Sequence, residues 1–184
     1  MNATNQETQV NLVVESHDSP LGPLLIGASA EGLVRVGLPA EDPDAVLDEL
    51  VRGESSRVPS GARDSVTRAR AQLDEYFAGR RRRFELAPDW RLAGGFRRHV
   101  LRATAQIPYG RTASYRDVAT RAGSPAAVRA AGSALVRNPL PIVVPCHRVL
   151  RSDGGLGGYL GGPETKAQLL KLEGVGAEQS GQER

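Results

Sequence analysis

The sequence predicts an α/β N-terminal domain, with a small antiparallel sheet plus helices, followed by a mainly α C-terminal domain with a winged-helix-like helix-turn-helix. Short alternating or apolar runs, typical of strands, lie near the start of the chain. Helical spacing of apolar residues follows, and two short helical segments around a Gly-containing turn lie in the second half. We place the domain boundary at Ala93-Gly94-Gly95, which gives domains of residues 1–93 and 94–175 and a tail, 176–184, that we expect to be disordered.

The predicted sheet has three strands, Gln9–Glu15, Leu24–Ala28 and Leu33–Leu38, with a turn at Glu31-Gly32 before the third strand. Alternating or continuous apolar residues bounded by turn-forming residues are the basis for each strand.

Two helices are predicted after the sheet, at Asp44–Arg52 and Ser65–Phe77, with a loop at Gly53–Gly61 between them. The second helix should bury one face, composed of Val66, Ala69, Leu73, Tyr76 and Phe77. The four-Arg run Arg80–Arg83 is interpreted as a solvated strand end, with DNA contact as the alternative. This half of the chain has no recognisable catalytic constellation.

The C-terminal domain should begin with a helix over Gly95–Ala105. Ser114, with Asp117 three residues later, predicts a capped helix start, and Ala122-Gly123 predicts its end. Ser124 with Pro125 at the next position is typical of a further helix start, and we expect that helix to run to about Val136. The two helices would form the helix-turn-helix.

Charge is divided unevenly between the two halves. Residues 1–90 carry 10 Arg and 15 acidic residues, net −5, whereas residues 91–184 carry 12 Arg, 2 Lys and 6 acidic residues, net +8. A basic domain joined to an acidic one is typical of a protein that binds a polyanion with one domain. A solvated basic surface is the alternative.

Composition favours a cytoplasmic protein. No run of eighteen apolar residues exists, and the polar start MNATNQETQV does not resemble a secretory signal. The single cysteine cannot form an internal disulfide or a multi-cysteine zinc site, and the three histidines lack metal-ligand spacing. We therefore expect no metal. We also expect a monomer, because no large apolar surface stretch is apparent.

The only cysteine, Cys146, lies directly before His147 in the sequence PCHRV. A thiol attacks as thiolate, and a neighbouring proton acceptor is the usual way to generate one near neutral pH. An adjacent Cys-His pair alone is weak support, because a lone cysteine is most often an inert buried residue.

The surrounding motifs are more specific. Asn138-Pro139 precedes PCHRV by seven residues, Gly158-Tyr159-Leu160-Gly161-Gly162 follows it, and the sequence KAQLLKLEG ends at Gly174. This ordered set resembles the O6-alkylguanine-DNA alkyltransferases, the methylated-DNA–protein-cysteine methyltransferases. The dense match covers about Phe96–Gly174, and the N-terminal half is similar only loosely.

The resemblance implies a DNA-repair protein that rotates an O6-alkylated guanine out of duplex DNA and transfers the alkyl group irreversibly to its own cysteine, once per molecule. Cys146 would be the nucleophile, His147 its base through a water, and Glu173 the carboxylate that orients His147. Asn138 would fix the turn behind the site, and Tyr115 would donate a proton to the departing guanine.

The same resemblance implies a set of substrate- and DNA-binding residues. Arg129, the one long side chain on an Ala-rich helix, would enter the base stack as the damaged base leaves. Tyr159 would line the alkyl pocket, and Leu160, where many relatives have a smaller or polar residue, would narrow it. Ser124, at the start of the second helix, and Lys166 complete the predicted set. No cofactor is implied, because the DNA supplies the alkyl group.

Alternatives remain for several residues. Glu173 could be a surface carboxylate, Tyr115 and Tyr159 could be packing residues, and Lys166 could be a solvated helix lysine. The activity has two alternatives, a non-catalytic helix-turn-helix regulator and a thiol hydrolase. The predicted partner is double-stranded DNA carrying O6-alkylguanine, with O4-alkylthymine as a further candidate lesion, and no membrane is involved.

Overall fold

The computed structural model describes residues 12–51 and 60–176, and its N-terminal part contains the predicted antiparallel sheet. Its strands, in spatial order, are β1 (Val13–His17), β2 (Leu24–Ala28) and β3 (Leu33–Gly37). Val13 pairs with Ala28, and Leu25 pairs with Gly37. The first strand continues two residues beyond its predicted end at Glu15, and residues 9–11 of that prediction lie outside the described residues.

The two N-terminal helices are α1 (Pro43–Val51) and α2 (Ser60–Phe77). Helix α2 packs on the sheet with the predicted apolar face, whose members Val66, Ala69, Leu73 and Tyr76 are fully buried. Phe77 is half-buried against the same core. The last two residues of the predicted loop, Ser60 and Gly61, belong to α2, and residues 53–59 lie outside the described residues.

The interpretation of Arg80–Arg83 as a strand end is wrong. The backbone N–H groups of Arg80 and Arg81 bond to the carbonyl of Glu75, at 2.8 and 3.1 Å, so this segment folds back on the end of α2. Arg81 also pairs with the Glu75 carboxylate at 2.6 Å. Since these bonds turn the backbone toward the helix, the segment does not extend along the sheet.

The C-terminal part is mainly helical, as predicted. Its helices are α3 (Gly95–Ala105), α4 (Tyr115–Arg121), α5 (Val128–Val136) and α6 (Gly162–Leu172). A short parallel strand pair, β4 (Ala113–Ser114) and β5 (Val149–Leu150), joins the start of α4 to the segment after Cys146. Helices α3, α4 and α5 pack on one another.

The helix-turn-helix consists of α4 and α5. The Ser114–Asp117 capping box is present as predicted. The predicted start of α5 at Ser124-Pro125 is wrong, because the Ala127 N–H bonds to the Ser124 carbonyl at 2.9 Å and closes a turn instead. Ala127, with φ −89° and ψ 35°, is the residue before the first helical turn. Ser124 and Pro125 therefore belong to the connection between the two helices.

One apolar core extends from the N-terminal sheet into the C-terminal helices. It includes Ile26 and Leu73 from the first part and Val100, Leu140 and Ile142 from the second, each fully buried. A backbone hydrogen bond from Val36 to Pro139, 2.8 Å long, also joins β3 to the segment before Cys146. The N-terminal sheet thus braces the backbone that precedes the cysteine. Within residues 12–51 and 60–176, the helices are too short or too polar to cross a membrane.

Candidate active site

Two consecutive tight turns position Cys146. The first is centred on Ile142, which has a φ of 72°. It is closed by a 2.9 Å hydrogen bond from the Val143 N–H to the Pro141 carbonyl. The second is an inverse γ-turn at Pro145, with φ −80° and ψ 63°. A β-branched residue at positive φ is strained by about 1–3 kcal/mol and persists only where its surroundings fix it. The buried Ile142 side chain supplies that fixation.

Asn138 holds both turns through its buried side-chain amide. Its Oδ1 accepts from the Leu140 N–H at 3.0 Å, and its Nδ2 donates to the Val144 carbonyl at 2.9 Å. The same Nδ2 lies 3.1 Å from Cys146 Sγ. Asn138 thus bonds to both sides of the turns that precede Cys146 and also contacts the sulfur, and its role in the reaction stays a prediction.

Cys146 is buried, with only 5% of its surface exposed. Burial raises the pKa of the Cys146 thiol to about 11, although the Asn138 amide and the Lys166 charge both favour the thiolate. Burial also lowers the pKa of His147, against the opposing effect of Glu173. Both shifts favour the neutral thiol and the neutral imidazole, so the site favours formation of the thiolate by proton transfer over a resting ion pair.

His147 and Glu173 form a buried hydrogen-bonded pair. His147 Nε2 lies 2.9 Å from Glu173 Oε1, and both side chains are fully shielded from solvent. The carboxylate accepts the proton on Nε2, which leaves Nδ1 as the proton acceptor. Nδ1 makes no hydrogen bond within the part of the chain that the structure describes. The alternative of Glu173 as a surface carboxylate is wrong.

Arg148 and Tyr76 also bind Glu173, and the sequence did not identify either one as part of the site. Arg148 donates through Nε to Oε2 at 2.7 Å and through Nη2 to Oε1 at 2.8 Å. The Tyr76 hydroxyl donates to Oε1 at 2.7 Å. Burial alone would raise the pKa of Glu173, but the bonds from His147 and Arg148 lower it to about 2, so the carboxylate stays ionised.

Tyr115 and Tyr159 lie close enough to the Cys146 thiol to interact with it electrostatically. The Tyr115 hydroxyl, at the start of α4, lies 3.4 Å from the Gly158 carbonyl. The Tyr159 ring stands edge-on to the His147 ring, with 6.4 Å between centroids, and its buried hydroxyl makes no hydrogen bond to the described residues. Burial raises the pKa of both tyrosines, so each keeps its proton.

Lys166 is fully buried, so its interpretation as a solvated lysine is wrong. Its ammonium donates to the Val149 carbonyl at 2.6 Å and to the Leu156 carbonyl, and it lies 5.9 Å from the centre of the Tyr115 ring. Burial lowers its pKa to about 8. Lys166 thus joins the strand after Cys146 to the loop that carries Tyr159.

The remaining predicted binding residues are Arg129, Ser124 and Leu160. Arg129 is exposed on α5, and Ser124 is half-buried in the turn before it. Leu160 lines a cavity of about 200 Å³ together with Arg35 and Val136, and Cys146 is not part of that lining. The narrowing of the alkyl pocket by Leu160 therefore stays a prediction. In the described ranges, no cluster of His, Cys, Asp and Glu side chains could hold a metal ion.

Two family models match the chain, and together they cover most of it. The model described as 6-O-methylguanine DNA methyltransferase, ribonuclease-like domain, matches residues 12–89. The model described as 6-O-methylguanine DNA methyltransferase, DNA binding domain, matches residues 95–175. The first match includes α2 with Tyr76, and the second includes all the predicted site residues.

Individual relatives agree with these matches. The chain is 40% identical over 159 residues to the constitutive methylated-DNA–protein-cysteine methyltransferase of Bacillus subtilis, covering 86% of this chain and 93% of the relative. It is 42% identical to that of Mycobacterium leprae, covering 86% and 90%. A crystal structure of Mycobacterium tuberculosis OGT in complex with DNA has a TM-score of 0.71 at 36% identity, covering 87% and 91%. The chain therefore belongs to the 6-O-methylguanine DNA methyltransferase family.

Proposed function

We propose that this protein repairs O6-alkylguanine in duplex DNA by transferring the alkyl group irreversibly to Cys146, as a methylated-DNA–protein-cysteine methyltransferase that acts once. The observation that carries the proposal is the buried chain of contacts at the cysteine. Asn138 Nδ2 lies 3.1 Å from Sγ, and the adjacent His147 is held by Glu173 at 2.9 Å. This is the nucleophile–base–orienter arrangement of covalent catalysts.

The chemistry is a displacement at the alkyl carbon. The Cys146 thiol gives its proton to His147 Nδ1 through a water, and the sulfur forms a bond to the alkyl carbon as the bond to guanine O6 breaks. Tyr115 donates a proton to the departing guanine ring, which leaves as the neutral base. Glu173 stabilises the imidazolium that forms on His147. The product is a thioether, and no described residue is suited to removing the alkyl carbon from it.

Duplex DNA is the proposed partner, and α4 and α5 are the proposed DNA-binding element. Arg116 and Arg121 on α4 and Arg129 on α5 are all exposed, and their positive charges suit contact with phosphates. Because the target carbon lies inside the duplex, the nucleotide must rotate out before Cys146 can reach it. We also propose a cytoplasmic location, because the relatives are methyltransferases that act on DNA.

The division into a first domain, residues 1–93, and a second, residues 94–175, is also proposed. The matches of the two family models end at residue 89 and begin at residue 95, which supports that boundary. The shared core and the Tyr76–Glu173 hydrogen bond indicate that the domains act as one unit.

A partition assay with labelled DNA tests the proposal. The protein is mixed with duplex DNA in which the O6-methyl group of one guanine carries tritium, and the label is followed. We expect one equivalent of label on the protein and guanine restored in the DNA. Binding without transfer would instead support the regulator, and repeated turnover on an ester or amide would support the hydrolase.

Arg129→Ala is expected to slow repair of duplex DNA much more than reaction with free O6-benzylguanine. Extracting a base from a duplex costs a few kcal/mol, and the free base avoids that cost. The measurement is the single-turnover rate on both substrates, with the duplex at saturating concentration. Arg129→Lys is the matched control, since it keeps the charge but loses the planar group that stacks.

Two outcomes would contradict a role for Arg129 in rotating the damaged nucleotide out of the duplex. An equal loss on both substrates would indicate a damaged fold, and an unchanged duplex rate would exclude any role in extrusion. Salt dependence separates stacking from a phosphate contact, because losing one phosphate contact lowers the slope of log affinity against log salt by about one.

Gly157→Ala is expected to slow reaction with free O6-benzylguanine by displacing Tyr115. Gly157 has a φ of 66°, and a Cβ there would lie 2.6 Å from the Tyr115 hydroxyl oxygen. The free base lacks the binding energy that DNA supplies, so its reaction should be sensitive to a displaced proton donor. The rate of single-turnover debenzylation measures this effect.

Gly154→Ala is the matched control. Gly154 lies in the same loop with a φ of 82°, but no atom lies within 4 Å of a Cβ built there. Both variants should lose about 1–2 kcal/mol of stability from the unfavourable φ. Only Gly157→Ala should slow the reaction, and equal rates in the two variants would contradict the proposed position of Tyr115 in the site.

A further inference from the structure

The carboxylate of Glu173 is bound from both domains. Oε1 accepts from His147, Arg148 and Tyr76, and Oε2 accepts from Arg148 and from the Gly110 N–H at 3.3 Å. His147, Arg148 and Gly110 belong to the C-terminal domain, as does Glu173 itself. Tyr76 belongs to α2 of the N-terminal domain, 97 positions earlier in the chain.

We propose that Tyr76 is a positioning residue of the alkyl-transfer reaction, through which the N-terminal domain orients Glu173 and sets how strongly Glu173 binds the His147 N–H. This inference rests on the proposed function and adds to it a residue outside the DNA-binding domain. Tyr76 acts through Glu173 and does not touch the reacting atoms.

The Tyr76 hydroxyl is held rigidly. The side chain is fully buried, and its ring packs against the rings of Phe77, Phe84 and Tyr109, with centroids 5.4, 5.3 and 6.2 Å away. Burial and the neighbouring Glu173 raise the pKa of Tyr76 well above its ordinary value, so the hydroxyl stays a proton donor. A fully buried side chain cannot contact DNA, so any effect on repair must pass through its protein partners.

The hydrogen bond has two consequences for the relay. It fixes the direction of Oε1, because the tyrosine ring cannot rotate its oxygen away from Glu173. It also reduces the negative charge on Oε1, the oxygen that accepts the hydrogen bond from His147. This weakens the attraction between the carboxylate and a protonated His147. Without the hydroxyl, Glu173 would be a stronger acceptor with a less defined orientation. The pKa of His147 should then rise, so that a larger share of His147 is already protonated and cannot accept the thiol proton. Together with the less defined orientation of Glu173, this should slow transfer.

Other groups near His147 act on its protonation in parallel. The titratable or charged groups that face it are Glu173 and Lys166 from α6 and its end, Arg148 and Cys146 from its own turn, Tyr159 from the loop before α6, and Tyr76 from α2 acting through Glu173. Tyr76→Phe leaves all the charged members of this set in place and removes only one neutral donor. Its effect can therefore be assigned to the loss of that hydrogen bond.

The test compares Tyr76→Phe with the wild-type full-length chain, using free O6-benzylguanine across a range of pH. We expect the single-turnover rate at neutral pH to fall about 10-fold, the effect of one lost hydrogen bond to a charged group. The acidic limb of the pH–rate profile should move upward by about one pH unit, since His147 must be neutral to accept the proton. Duplex affinity should not change.

A direct readout comes from the NMR titration of isotope-labelled histidines. The midpoint of His147 should move upward in Tyr76→Phe. Phe84→Leu is the matched control, because it disturbs the same aromatic cluster and keeps the Tyr76 hydroxyl. We expect Phe84→Leu to lower thermal stability without shifting the His147 midpoint.

A double-mutant cycle completes the test. If Tyr76 acts through Glu173, adding Tyr76→Phe to Glu173→Gln should cause no further loss of rate. An unchanged rate and His147 midpoint in Tyr76→Phe would overturn the inference, as would additive losses in the double variant. Absence of transfer to Cys146 in the wild type would instead reject the proposed function, so the two failures are distinguishable.

Discussion

Cys146→Ser is expected to abolish methyl transfer while leaving DNA binding intact. A serine hydroxyl is almost fully protonated at neutral pH and is a much weaker nucleophile than a thiolate. Even the thiol, whose pKa burial raises to about 11, needs His147 to accept its proton. The exposed arginines of α4 and α5 are unaffected by the change, so affinity for duplex DNA should stay at the wild-type value.

The measurement pairs a single-turnover transfer assay with a binding titration of the same duplex. The melting temperature of the variant should also be measured, because the substitution places a hydroxyl where a buried sulfur contacts the Asn138 amide. Serine can accept that hydrogen bond, so the melting temperature should change little. Transfer by the serine variant at a wild-type rate would remove Cys146 from the mechanism.

Glu173→Gln is expected to slow transfer by at least about 10-fold and by up to about 10⁴-fold, the effect of replacing the orienting carboxylate of a comparable triad. The amide can keep one hydrogen bond to His147 but cannot stabilise an imidazolium. A water between His147 and Cys146 would moderate the effect. The measurement is the single-turnover rate with duplex DNA carrying O6-methylguanine.

The same substitution should change the pH dependence of stability. The pKa of Glu173 is lowered from 4.5 to about 2 in the folded protein, so its ionised form stabilises the fold above about pH 4.5. That contribution is lost as the pH falls from 4.5 toward 2. Glu173→Gln should be less stable at neutral pH, because it leaves Arg148 buried without its carboxylate, and it should lose less stability on acidification.

Glu164→Gln is the matched control for both measurements. Glu164 lies in the first turn of the same helix, α6, and is exposed. Its conversion to an amide should leave the transfer rate near the wild-type value and alter stability only slightly. An unchanged transfer rate in Glu173→Gln, measured below its melting temperature, would mean that the glutamate is only structural.

Much of this arrangement could be predicted from the sequence because it depends on local signals. The capping box at Ser114 and Asp117 and the apolar face of α2 each follow from spacing within one element. The resemblance of the motifs to a known family predicted a site made of Cys146, His147 and Glu173. The structure places His147 and Glu173 within hydrogen-bonding distance of each other. Their catalytic roles stay predictions until the variants are measured.

The parts that could not be predicted depend on contacts between distant segments. Tyr76 had the spacing of an ordinary core residue, and only the fold of the chain brings its hydroxyl to Glu173, 97 positions later. Arg148 lies next to His147 in the sequence, but its carboxylate partner Glu173 lies 25 positions later, so only the fold reveals this contact. The predicted start of α5 was wrong because Ser124 and Pro125 suit a tight turn as well as a helix start.

Mass spectrometry of the reacted protein tests the central claim most directly. The full chain is incubated with an excess of duplex DNA carrying O6-methylguanine, and its intact mass and peptides are then measured. The account predicts one modification per molecule, about 14 Da, the replacement of a hydrogen by a methyl group at Cys146. An unmodified Cys146 after the DNA has been repaired, or more than one equivalent of guanine restored per protein molecule, would contradict it.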